Sequence, residues 1–117
     1  MSVVTLLLIA LVALLHAYFL VLEMFLWTRP LGMKVFRLTR EKAESTKALA
    51  ANQGLYNGFL AAGLVWSIIG EHRDVATFFL ACVVIAGVYG AATVNKRIFV
   101  VQAVPALLAL AALWFAG

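Results

Sequence analysis

Apolar residues fill four long stretches of the chain, at about 3–27, 48–70, 75–94 and 98–116, and charged residues gather between them. Each stretch is long enough to cross a bilayer as a helix, because about 20 residues span the hydrocarbon core. The pattern predicts an all-α, polytopic membrane protein with four transmembrane helices in an up-down bundle, one domain over residues 1–117, and a basic loop at 28–47. MSVVTLLL has no basic n-region, and the first stretch is too long for a signal peptide and carries His16 and Glu23, so it is expected to remain as a spanning helix. Pro30 and Gly32 are expected to break the chain after Trp27. In the loop, Val35, Phe36 and Leu38 alternate with Lys34, Arg37 and Arg40, which suits a short helix lying on anionic headgroups. Thr39 is placed to cap a helix that runs through Arg40–Lys47 straight into the second span.

The second stretch departs from the apolar pattern. ALAANQGLYNGFLAAG carries Asn52, Gln53, Tyr56 and Asn57 within six residues. At about 100° per residue, Asn52 and Tyr56 share a face, Gln53 and Asn57 lie beside them, and Gly54, Gly58 and Ala62 fall on another side. Amides in hydrocarbon cost several kcal/mol each when they lack partners, so the remaining helices are expected to supply partners.

Composition narrows the class without changing this picture. The chain is 66% hydrophobic and 12% charged, with a mean hydropathy of +1.07, against about 45–50% apolar and about 25% charged in soluble domains. A single cysteine, Cys82, excludes an intrachain disulfide and reads as a buried, inert thiol. The net charge of +4 follows membrane topology and is no signal for nucleic acid. The first and third connections hold eight Lys and Arg residues against one, Arg73, in the second. The positive-inside rule therefore puts those two connections in the cytoplasm and both termini outside. The basic residues are read first as a topology anchor and second as a lipid-headgroup site.

Orientation gives each polar residue a depth. Glu23 lies near the cytoplasmic end of the first helix, Asn52, Gln53, Tyr56 and Asn57 in the cytoplasmic half of the second, Tyr89, Thr93 and Asn95 near the end of the third, and Gln102 one turn into the fourth. Their common depth predicts a polar cavity open to, or just beneath, the cytoplasmic surface. Glu23 is its sharpest candidate, because an acid in a spanning helix is expensive and usually faces the bundle interior. It is expected either to meet a cation, a ligand donor or a proton, or to pair with Lys96, Arg97 or Arg29 as a structural clasp. His16 lies on the same face about 10 Å away, too far to share a metal ion with Glu23. It is read first as hydrogen-bonding a neighbouring helix and second as a station on a proton path. No other histidine lies in a span, so no metal site is expected.

Gly54, Gly58 and Ala62, with Ala86, Gly87, Gly90 and Ala91 on the third helix, are read as close packing. Pro105 is expected to kink the fourth helix and free a carbonyl near Gln102. Trp27, Trp66 and Trp114 are assigned to the interfacial aromatic belt. No nucleophilic triad, phosphate loop or dinucleotide fingerprint is present, and no cofactor is assigned.

EMFLWTRPLG, the basic loop and TKALAANQGLYNGFLAAGLVW together resemble a widespread family of small bacterial four-helix membrane proteins that is described only as a domain of unknown function. The resemblance covers the whole chain and implies a multi-pass protein of the bacterial inner membrane, with no activity attached. A remote similarity to the membrane-associated eicosanoid and glutathione metabolism proteins rests on the four helices, the basic first loop, and Lys47 to Asn52 followed by Tyr56. Leu55 stands where the glutathione-using members carry an acid, and their arginines are absent, which counts against glutathione chemistry.

The first functional reading is a protein that binds or acts on a lipophilic or amphipathic small molecule, its polar end meeting Glu23, Asn52, Gln53, Tyr56, Asn57, Tyr89 and Gln102, with His16, Thr93, Asn95, Lys96 and Arg97 behind them. The alternatives are a small proton-coupled transporter using Glu23, and a structural or accessory membrane subunit. Homo-oligomerisation is one way for so small a unit to complete its site.

Overall fold

A computed structural model describes all of residues 1–117. It is entirely helical: α1 (Val3–Met24), α2 (Pro30–Phe36), α3 (Arg40–Ile68), α4 (Arg73–Thr93), a π-helical turn (Phe99–Ala103) and α5 (Val104–Phe115), with no strand. Two helices are long and apolar enough to cross a membrane by length and composition, α1 and α4. The second and fourth stretches differ from the expectation for separate reasons. In α3, Asn52, Gln53 and Asn57 dilute the apolar run, and Arg40–Lys47 extend the helix to about 44 Å. The fourth stretch is divided at its π turn. There the Val104 N–H reaches back five residues to the Phe99 carbonyl, a widened turn that makes room for Pro105, whose ring would collide with a regular preceding turn. The expected kink at Pro105 thus takes the form of a π turn that includes Gln102.

The chain packs as two units. The first comprises Met1–Leu14 and Leu60–Gly117. Its core joins side chains from four helices: Ile9, Val12 and Ala13 of α1, Leu64 of α3, Ala76, Leu80 and Val83 of α4, and Ala106, Ala109 and Leu113 of α5. α4 and the π turn approach closely because the side-chain-free face of Gly87 lies against the Ala103 backbone, where a Cβ would come within 2.8 Å of Ala103 N. Gly70 (φ 85°) and Glu71 (φ 54°) turn the chain between α3 and α4 through the left-handed region. That turn and both termini meet at one end of the unit: the N-terminal ammonium pairs with Glu71, and the Ser2 N–H bonds to the Gly117 carbonyl. Cys82 is half-buried.

The second unit, Leu15–Phe59, is the antiparallel pair formed by the end of α1 and the first two-thirds of α3, with α2 folded between them in sequence. α1 ends at Met24, three residues earlier than expected. Pro30 does not break the chain but starts α2 at its first helical position, where a missing N–H costs nothing. Gly32 lies inside α2, buried against the Leu26 carbonyl, where any Cβ would overlap the backbone. The Trp27 indole N–H donates to Thr46 Oγ1 (3.0 Å) and its ring packs on Phe36 at 4.8 Å, so Trp27 ties α1, α2 and α3 together. At the start of α3, Thr39 Oγ1 accepts from the Lys42 N–H at 3.1 Å, the cap expected from sequence.

Candidate functional site

The second unit holds one buried acid. Glu23, one residue before the end of α1, is 2% exposed. Gln53 Nε2 donates to Glu23 Oε2, and Asn57 Nδ2 donates to Glu23 Oε1. Each carboxylate oxygen thus receives one amide N–H. Residues 53 and 57 lie one helical turn apart on α3, so their side chains approach the carboxylate together. The short amides can reach because the helices are close: a Cβ on Gly54 would come within 2.7 Å of Met24 Cγ and 3.1 Å of Glu23 Cβ, and one on Gly58 within 2.6 Å of Leu20 Cδ1. The close packing expected of Gly54 and Gly58 is realised against α1, whereas Ala62 is exposed.

No cation joins this cluster. Arg29, Lys96 and Arg97 are exposed, and the two ion pairs in the chain are those of the N-terminus with Glu71 and of Arg40 with Glu44. A clasp of opposite charges at Glu23 is therefore replaced by two neutral amides. A carboxylate has about four acceptor sites and two are used, so the cluster can still accept from an ammonium or hydroxyl donor. Each amide can also turn to present its carbonyl oxygen, which allows the pair to hold the acid with or without its proton.

The other expected site residues take no part in the hydrogen bonds of this cluster. Asn52 and Tyr56 are exposed on the face of α3 that points away from Glu23, and Asn57, not Asn52, is the buried asparagine. Tyr89, Thr93, Asn95, Lys96 and Arg97 belong to the first unit and are exposed, and Gln102, half-buried, belongs to it too. His16 is fully buried with its ring edge-on to Phe19 at 5.3 Å.

A surface depression that was not anticipated lies in the first unit. It is open, about 820 Å³, and lined by Glu71, His72, Arg73, Asp74, Thr77, Phe78 and Trp114. Arg73 donates to the Leu113 carbonyl at 2.5 Å and stacks its guanidinium 4.6 Å over the Trp114 ring, whose N–H donates to Thr77 Oγ1 at 2.9 Å. Trp114 and Trp27 therefore have packing partners beyond an aromatic belt. Arg73 and Trp114 stand 41 residues apart, and no spacing rule links them.

A family profile described as "Protein of unknown function (DUF1304)" matches residues 10–114. The chain belongs to this family. Within the DUF1304 segment lie Glu23, Gln53 and Asn57, as well as the whole of α2, α3 and α4. The chain is also similar to the uncharacterized protein YpaA of Lactococcus lactis subsp. lactis (strain IL1403), with 33% identity over 119 residues that cover 98% of this chain and 100% of that protein. No solved structure matches this DUF1304 chain.

Proposed function

We propose that the chain is a four-span membrane protein whose Glu23–Gln53–Asn57 cluster binds the polar end of an amphipathic small molecule. The observation that carries this reading is a buried carboxylate fixed by two neutral amides with no cation beside it. Burying an unpaired acid is costly, and a purely structural helix contact is met more cheaply by apolar side chains. What the amides add is a carboxylate held in one position with acceptor sites to spare. A donor such as an ammonium or hydroxyl headgroup would fill those sites, while the ligand's apolar part lies along the helices.

Two further observations support the membrane setting. Both termini gather with the Gly70–Glu71 turn at one end of the first unit, as an even number of crossings requires. The eight-to-one division of Lys and Arg between alternate connections assigns the 28–47 connection to the cytoplasmic side, next to Glu23. A proton-coupled transporter is the second reading, favoured by the same cation-free acid.

Native mass spectrometry of the protein released gently from its own membranes tests the proposal. The expected result is a retained non-phospholipid mass that Glu23→Gln removes while the protein stays folded. Ordinary phospholipid alone, in both proteins, would overturn the binding reading. Efflux of a cationic dye from proteoliposomes under a pH gradient, abolished by Glu23→Gln, would put transport in its place.

A further inference from the structure

The face of α3 opposite Glu23 is unexplained by that site. Ser45, Leu49, Asn52, Tyr56 and Phe59 follow one another at spacings of four, three, four and three residues, and all five are exposed. This is the spacing of the apolar seam in a coiled coil. Leu49, Tyr56 and Phe59 are 73%, 59% and 54% exposed, and the Tyr56 and Phe59 rings meet edge to face at 5.5 Å. At about 100° per residue, Asn52 stands roughly 160° from Ala50 and 200° from Gly54, both of which are buried. Asn52 is thus at the centre of the outward face. Its carboxamide makes no hydrogen bond within the chain, in contrast to those of Gln53 and Asn57.

On the membrane reading proposed above, on which this inference rests, such a face has a specific problem. Lipid covers Leu49 and Phe59 without penalty, but it offers a carboxamide no partner. What covers Asn52 must bring both a donor and an acceptor to the same depth of the bilayer. A carboxamide is complementary to itself: two of them related by a two-fold axis exchange a pair of N–H···O bonds. A second copy of this chain supplies that group at that depth, and a single asparagine in an otherwise apolar seam sets register in helix pairs. We infer that two copies of the chain associate through the Leu49–Phe59 face of α3, with Asn52 paired to Asn52 across the two-fold axis. Glu23 and Asn57, on the other side of the helix, stay outside this contact, and Gln53, which is exposed, stands at its edge.

Oxidative cross-linking in carbonate-washed native membranes tests it. In a Cys82→Ser background, single substitutions Leu49→Cys, Asn52→Cys, Tyr56→Cys and Phe59→Cys are compared with Ile85→Cys, an equally exposed position on α4. The expected result is disulfide-linked dimer at the α3 positions, strongest at Asn52→Cys and near background at Ile85→Cys. Equal yields at all five, or none at the α3 positions, overturn the inference. Energy transfer between labelled copies in dilute proteoliposomes gives a second reading, in which Asn52→Leu is expected to weaken association about tenfold, and unchanged association overturns the inference. A chain recovered wholly in the carbonate supernatant would overturn the membrane reading and the dimer together, whereas an embedded monomer overturns the dimer alone.

Discussion

The two packing units of this chain are held together by different chemistry. The first buries ten apolar side chains from four helices in one cluster, and its buried hydroxyls are satisfied locally: Ser67 donates to the Leu64 carbonyl at 2.6 Å, and Thr5 bonds Ser2 at 2.9 Å. The second buries fewer apolar side chains, Leu22, Ala43 and Ala50, and with them His16, Glu23 and Asn57. Its helices touch at Gly54 and Gly58, and the groups between them are an acid and two amides. In the first unit many interchangeable contacts each contribute modestly. In the second a few directional contacts must all be present at once, because a buried polar group left unmatched costs more than a lost apolar contact of similar size.

Substitutions at three positions would break or sharpen this contrast. Leu64→Ala removes a fully buried side chain from the first unit and is expected to cost about 3 kcal/mol, read as a fall in thermal midpoint in mild detergent. Neighbouring apolar side chains should recover part of the loss when Leu64→Met is made instead. Glu23→Leu keeps the volume but leaves the amides of Gln53 and Asn57 without their acceptor, at a cost of about 2 kcal/mol. Glu23→Gln retains an acceptor and should lose less than half of that in the same assay. Equal stability of the leucine and glutamine variants would show that the second unit is held by packing, like the first. Thr39→Ala removes the cap at the start of α3 and is expected to cost about 1 kcal/mol; amide hydrogen exchange should then quicken in the first turn of α3 and stay unchanged in α4.

Legibility from sequence varied with the range of the interaction. The Thr39 cap involves residues three apart, and the α3 helix runs from Arg40 as its local pattern implies. Pro30 was misread because the same fixed φ that ends one helix also suits the first position of another, and only the chain's path through α2 separates the two cases. The polar group on α3 was legible as a group, but its division was not. Gln53 and Asn57 turn to Glu23 while Asn52 and Tyr56 face outward, a choice set by which side of α3 the glycines let α1 approach.

By itself the sequence determined that the protein is helical, because the hydrophobic runs and the caps act over one or two turns of chain. It also marked Glu23 and the Asn52–Asn57 segment as costly to bury, since that cost belongs to the groups themselves. Only the tertiary structure decided which amide met the acid, that no cation did, and that Arg73 and Trp114 would share one depression. Those outcomes depend on helix rotation and on contacts between residues 30 to 41 positions apart, for which a linear pattern carries no distance.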